Sequence, residues 1–300
     1  MQNALIQAAA LFILMMIGAL CGKLKYCDAA VRRSLSNILL FVTTPAMILE
    51  AFQFEYSSQV LMNMGIVAVV STAVMIGSYY LSKYLFRNQP EDLKRVLIYA
   101  VTFANTGFLG LPLMQGLLGE IGVIYASVYV ATFNILTWTL GVQIWTGEKA
   151  SIKKILTNVT LISVVIGVIM FCFSLRFPQV LEKPISMLSA CNGPMSMIVV
   201  GAILSECSLK DLLGDKMLYG FTGLRLLVIP LITLILCRLL RLPMDVSAVL
   251  VLVGGTPTAV NTAIFATRYH GRERFTSLAV ALSTLLYLPV VPLWTWLLGF

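Results

Sequence analysis

Charge is what this chain has least of. Asp, Glu, Lys and Arg make up 11% of its 300 residues, less than half of the roughly one quarter that a soluble domain carries. So sparse a set cannot coat a water-facing surface, and a sizeable soluble domain is excluded. Histidine occurs once, at His270, so an H-E-x-x-H metal site is excluded too. There is no G-x-S-x-G nucleophile elbow and no Walker A loop, which removes the signatures of an acyl-transfer enzyme and of an ATP-driven pump. The six cysteines (Cys21, Cys27, Cys172, Cys191, Cys207, Cys237) show no C-x-x-C spacing. They read as small apolar residues within helices, so neither a metal, a cofactor nor a disulfide framework is expected. The net charge of +8 sits in short clusters rather than in a basic stripe with interleaved aromatics, and nucleic acid is not an expected partner.

What the chain has is apolar length. It is 59% hydrophobic with a mean hydropathy of +0.92, and apolar segments of about 20 residues recur from end to end, as in a polytopic helical membrane protein. The first, Ala4 to Leu20, has no basic run before it and no A-x-A-like cleavage site, so it reads as a retained helix. Hydropathy and turn residues predict ten helices, at about 4–22, 35–54, 60–85, 95–118, 122–145, 157–177, 186–206, 217–239, 246–268 and 275–298. The Lys and Arg residues alternate between the connections. Sixteen fall at the odd ones, from Lys23 and Lys25 to Arg272 and Arg274; four (Arg176, Lys183, Arg238, Arg241) fall at the even ones. The positive-inside rule then makes the odd connections cytoplasmic and places both termini outside the cell membrane.

The halves, 1–147 and 148–300, resemble each other. "TTPAMILEAF" from Thr43 lies about 150 residues before "NGPMSMIVVG" from Asn192, each with a proline early in the second helix of its half. The fourth helix carries "NTGFLGLPL" from Asn105; its counterpart, the ninth, carries "GGTPTAVNTA" from Gly254. Five helices is an odd number, so the second half must enter from the opposite side, and the repeat is inverted.

Both interruptions fall near mid-membrane. Pro112 and Pro257 lack an N–H and clash with the carbonyls of Phe108 and Val253, while Gly107, Gly110, Gly254 and Gly255 let the backbone leave helical geometry. Free peptide groups in hydrocarbon cost several kcal/mol each, so paired breaks survive only inside protein or beside a wet cavity. They point to a transporter's binding site. Half-helix N-termini suit a carboxylate, and the amides of Asn105 and Asn261 add donors without stranding a permanent charge.

At these residues the sequence resembles the auxin efflux carrier family. "NTGFLGLPL", including Asn105, Thr106, Gly107 and Pro112, is similar to that family's N-T-x-x-x-G-x-P-L segment. "TPTAVNTAIFATRYHG", with Pro257, Asn261 and a tail at Phe265, Ala266 and Tyr269, resembles its second crossover; "FNILTWTLG" resembles its fifth helix, where the residue at Asn134 faces substrate. The resemblance implies an all-α membrane protein of ten helices in two inverted five-helix repeats, with broken helices four and nine crossing. It further implies a secondary transporter of organic anions, an elevator-like movement and a homodimer. The short central stretch, Trp145 to Thr157, and Thr262 in place of a second proline depart from the plant members. A prokaryotic carrier of mono- or dicarboxylates such as malate or malonate is therefore expected, with H+ or Na+ as candidate coupling ions. The alternative is a channel or a non-transporting sensor of the same fold.

Five further residues bear on this. Arg225 in "FTGLRLLVIPL" lies at mid-depth in the eighth helix; an arginine there costs at least ~2.5–3.5 kcal/mol and must face the bundle, to neutralise an anion or to bind carbonyls at the break. Glu50 and Glu206 lie near helix ends as solvated carboxylates, either of which could carry a coupling proton. Trp294 and Trp296 read as interfacial anchors. The orientation is testable: a phosphatase reporter fused after Phe300 should be active and one fused after Glu148 inactive. Activity at Glu148 would overturn the both-ends-out topology.

Overall fold

A segment in hydrocarbon must pair its own peptide groups, and every regular element among the described residues is helical. The computed structural model describes residues 2–147, 152–205, 215–269 and 271–299; Glu148, Lys149, Glu206, Cys207, Lys210, His270 and Phe300 lie outside them. The helices are α1 (Gln2–Lys23), α2 (Ala29–Ala51), α3 (Ser58–Leu85), α4 (Glu91–Thr102) and α5 (Thr106–Thr146). They continue as α6 (Ile152–Leu156), α7 (Val159–Cys172), α8 (Gln179–Leu204), α9 (Lys216–Leu239), α10 (Met244–Val253), α11 (Asn261–Arg268) and α12 (Glu273–Leu298).

Five of these, α2, α3, α5, α8 and α9, are long and apolar enough to cross a bilayer. Shorter apolar stretches lie at Ala9–Lys23, Val159–Cys172 and Met244–Val253, and α12 is bent by 51° between Glu273–Tyr287 and Pro289–Leu298. At 41 residues α5 is about twice the length a bilayer needs. It is kinked at Gly119, whose φ of 64° and ψ of −142° only glycine adopts without strain. The connection expected between residues 118 and 122 is thus a kink at one residue. Several starts are written locally: Asp28, Ser57, Asn158 and Asp215 each accept a hydrogen bond from a first-turn N–H of α2, α3, α7 and α9.

Proline acts differently from its sequence reading. Wide i→i+5 turns at Leu39–Thr43, Thr106–Gly110 and Leu224–Val228 each end two residues before a proline, Pro45, Pro112 and Pro230. Such a turn opens room for the carbonyl that a proline ring would otherwise strike. Pro112 therefore lies within a continuous helix, and the interruption comes earlier, at Phe103–Asn105. The second interruption does include Gly255 and Pro257, while Gly254 keeps helical dihedrals. Trp294 is also corrected: it is buried and donates through Nε1 to the Leu226 carbonyl at 3.0 Å, while Trp296 is exposed. Residues two apart on a helix point about 200° apart, so both cannot face the interface.

The most extensive helix pair among the described residues is α1 on α8. A Cβ on Gly201 would run into the Met15 carbonyl oxygen, and one on Gly18 into the Ile198 carbonyl. Small residues let the two backbones touch, the packing device open to helices that gain nothing from leaving lipid. Gly65 in α3, by contrast, has open space around it. Gly201→Ala should therefore lower the melting temperature in detergent, with overpacking of about 1–3 kcal/mol, and Gly65→Ala should leave it unchanged or slightly raised. Equal melting of the two variants would mean that the α1–α8 backbones do not touch at Gly201.

Candidate binding site at the helix crossing

Two interrupted segments cross at the centre of the helices. After α4 stops at Thr102, residues 103–105 run extended against residues 257–259, which follow α10. The Asn105 N–H donates to the Pro257 carbonyl at 2.8 Å and the Ala259 N–H to the Phe103 carbonyl at 3.0 Å, an antiparallel bridge at Ala104 and Thr258. Backbone groups that no helix can satisfy satisfy each other.

Beyond the crossing both chains re-enter helices, α5 from Thr106 and α11 from Asn261, and both helix starts line one cavity of about 480 Å³. First-turn N–H groups have no intrahelical acceptor, so Thr106, Gly107 and Asn261 bring two positive helix ends to the same space. Buried polar atoms add to them: Asn105 Nδ2 and Thr106 Oγ1 have no hydrogen-bond partner among the described residues. Leaving a buried donor unpaired costs about 1–3 kcal/mol.

The opposite wall comes from α2, α5 and α7. Asn134 lines the cavity and donates through Nδ2 to the Val130 carbonyl at 2.9 Å. Asn158 donates in turn to Asn134 Oδ1 at 3.1 Å, while its own Oδ1 caps α7 at the Leu161 N–H. Apolar surface comes from Phe41, Phe133, Trp138 and Phe265. Phe265 is held by Tyr99, at 5.2 Å between ring centroids, and by Tyr269 at 5.8 Å, one helical turn along α11. No charged residue is among the described residues lining this space.

Of the residues predicted from sequence, the structure brings Asn105, Thr106, Gly107, Asn134 and Asn261 to the cavity wall. Pro112 and Pro257 are buried but do not line it. Arg225 does not line it either. Its guanidinium is 1% exposed and is spent on main-chain carbonyls: Nε to Thr256 at 3.0 Å, Nη1 to Val101 at 2.9 Å and Nη2 to Gly254. Glu50 ends α2 partly buried and away from the cavity. Sequence reasoning missed Asn158, Thr137 and Thr44, which line the wall. Asn158 carried a legible signal, an N-cap residue just before an apolar run.

A family model described as "Membrane transport protein" matches residues 4–160 and 146–295. The chain belongs to this family of auxin efflux carrier-like transporters. It is 26% identical over 284 residues to an uncharacterized transporter of Methanocaldococcus jannaschii, covering 88% of this chain and 89% of that one. An uncharacterized transporter of Methanothermobacter thermautotrophicus is 29% identical over 203 residues, 66% of each chain. The uncharacterized transporter YfdV of Escherichia coli is 20% identical over 302 residues, covering 95% of this chain and 94% of YfdV. The transporter is thus a multi-pass membrane protein.

Asn158 separates capping from cavity chemistry. Asp caps a helix as well as Asn does, so Asn158→Asp should keep the melting temperature of the transporter. It places a carboxylate on the cavity wall and should weaken anion binding tenfold or more. Unchanged anion affinity in a well-folded Asn158→Asp protein would remove this wall from the site.

Proposed function

We propose that this transporter carries organic monoanions, a single carboxylate on an apolar body, by alternating access at the helix crossing. The observation that carries the reading is the convergence of two helix N-termini and the unpaired Asn105 amide on a cavity without a charged residue among its described lining. Partial positive charge at each helix end, together about one elementary charge, matches one carboxylate. A small dicarboxylate such as malate or malonate would bring a second full charge to a wall of Phe41, Phe133, Trp138 and Phe265, where the Asn134 and Asn158 amides are already paired and only neutral hydroxyls such as Thr137 remain to meet it. We therefore favour an aryl or branched monocarboxylate, and the volume of about 480 Å³ suits one.

The same reading takes the chain as ten spans in two inverted repeats, 1–147 and 148–300, in the cell membrane with both termini outside. The matched interruptions and the crossing of α4–α5 with α10–α11 support it. A carrier is favoured over a channel because Arg225, Gly254 and Thr256, on the other side of the crossing, are not part of the cavity lining. No carboxylate is among the described lining residues, so a coupled H+ or Na+ would be held elsewhere.

The test is counterflow into proteoliposomes. Phenylpyruvate is a suitable probe, because its strong acidity keeps it charged and slow to leak through lipid. Labelled phenylpyruvate should accumulate against internal unlabelled phenylpyruvate, and malate or malonate should not drive that exchange. A charge-assisted amide hydrogen bond is worth about 1.5–3 kcal/mol, so Asn105→Ala and Asn261→Ala should each raise the apparent KM roughly tenfold or more at normal insertion. Flux without trans-stimulation would indicate a channel. Unchanged KM in both Asn variants would move the site away from the crossing.

A further inference from the structure

We propose that Arg225 is a positioning residue that sets the substrate site from behind, by clamping the C-terminal ends of both interrupted helices, and that it does not touch the substrate. The proposal rests on the binding site being at the crossing. Arg225 lies in the wide turn Leu224–Val228 of α9 and is the largest fully buried side chain among the described residues. Those residues hold no ion-pair partner for it; its donors go to carbonyls instead. Val101 belongs to the last turn of α4, and Gly254 and Thr256 follow directly on α10.

Those carbonyls are the ones the interruptions set free. The last carbonyls of a helix have no intrahelical donor and carry its partial negative charge. One guanidinium, with its planar fork, reaches two helix ends at once. Arg225 also has its own neutralisation there, from two half-charges of opposite sign, so it needs no carboxylate in the bilayer core. The consequence reaches the cavity through the main chain. Val101 is four residues before Asn105, and Thr256 is five before Asn261. Between them runs the bridge that aims both helix starts: Asn105 N–H to Pro257 and Ala259 N–H to Phe103. The crossing is therefore held from two sides, by its own backbone pairing and by one arginine. Lysine cannot replace it, since a single ammonium cannot span three carbonyls on two segments.

The experiment is amide hydrogen exchange by mass spectrometry on the full-length purified transporter, with wild type, Arg225→Lys, Arg225→Gln and Tyr287→Phe. Tyr287 is the control, because its hydroxyl donates to the Leu252 carbonyl in the same region without joining the two segments. In wild type, peptides covering 103–109 and 255–261 should exchange slowly although they include the non-helical stretches 103–105 and 255–260. In Arg225→Lys both should exchange at least tenfold faster while α1, α3 and α8 are unchanged, and Tyr287→Phe should leave both peptides slow. The apparent KM for phenylpyruvate should rise tenfold or more in Arg225→Lys. Fast exchange in wild type would overturn the clamp directly, even if the Arg225 variants fail to fold. Slow exchange in Arg225→Lys would overturn it as well. Faster exchange with an unchanged KM would uphold the clamp and count against the substrate site at the crossing.

Discussion

Everything at the centre of this transporter depends on two peptide hydrogen bonds between chains that have stopped being helical. Asn105 to Pro257 and Ala259 to Phe103 close the gap left where α4 and α10 end. In hydrocarbon each unpaired peptide group costs several kcal/mol, so neither interruption is stable without the other. The pairing demands close approach. A Cβ on Gly110 would sit 2.9 Å from Val253 Cγ1, and one on Gly254 2.8 Å from the Tyr129 hydroxyl. Glycine at these positions makes space as much as it makes bends. Once the segments cross, the polarity of the helices does the rest: starts face the cavity, and ends face Arg225.

That division of polarity explains why the cavity wall can be neutral. A fixed cation beside an empty anion site in the membrane would need a counter-ion whenever the substrate leaves. Helix starts and amides attract an anion with partial charges that remain tolerable when unoccupied. The full charge of Arg225 is kept on the reverse side, where carbonyls bind it. Binding strength is then set by geometry rather than by net charge. The proposed carrier must release as well as bind, and partial charges moved by small backbone shifts suit that cycle better than a fixed ion pair.

How much of this could be read in the sequence depended on which property each residue expressed. The interruptions were legible because Gly and Pro act on their own backbone, and Asn105, Asn134 and Asn261 reach the cavity where the motifs placed them. The position of the first interruption was not legible, since a wide turn at Thr106–Gly110 absorbs Pro112 and moves the break upstream to Phe103–Asn105. Arg225 showed its depth but not its direction around the helix, and direction decides between substrate and carbonyls. Trp294 failed for a related reason: belt assignments count residues along a helix and ignore that every second one turns inward. Asn158 and Thr137 belong to a wall that only the packing of α5 against α7 creates. The pairing of the two halves as inverted repeats rests on the matched interruptions and the charge alternation.

The two halves of the crossing are not held equally. The α5 start continues into a helix packed against α3, α10 and α8, whereas α11 has eight residues and touches chiefly α12 and α4. Its grip is aromatic: Phe265 and Tyr269, on one face, stack between Tyr99 and Trp145. Trp145 in turn fits only because residue 271 is glycine, where a Cβ would lie 2.8 Å from its ring. Past α11 the chain is tied by Arg272 to Asp92, a 2.6 Å contact that holds the Asp92 carboxyl below its usual range, and exposed pairs of this kind contribute little stability. The elements of a protein that move are drawn from its least secured parts. Asn261 and Phe265 both lie on α11 and both line the cavity, so in the proposed site a polar and an apolar contact share one short, lightly packed helix.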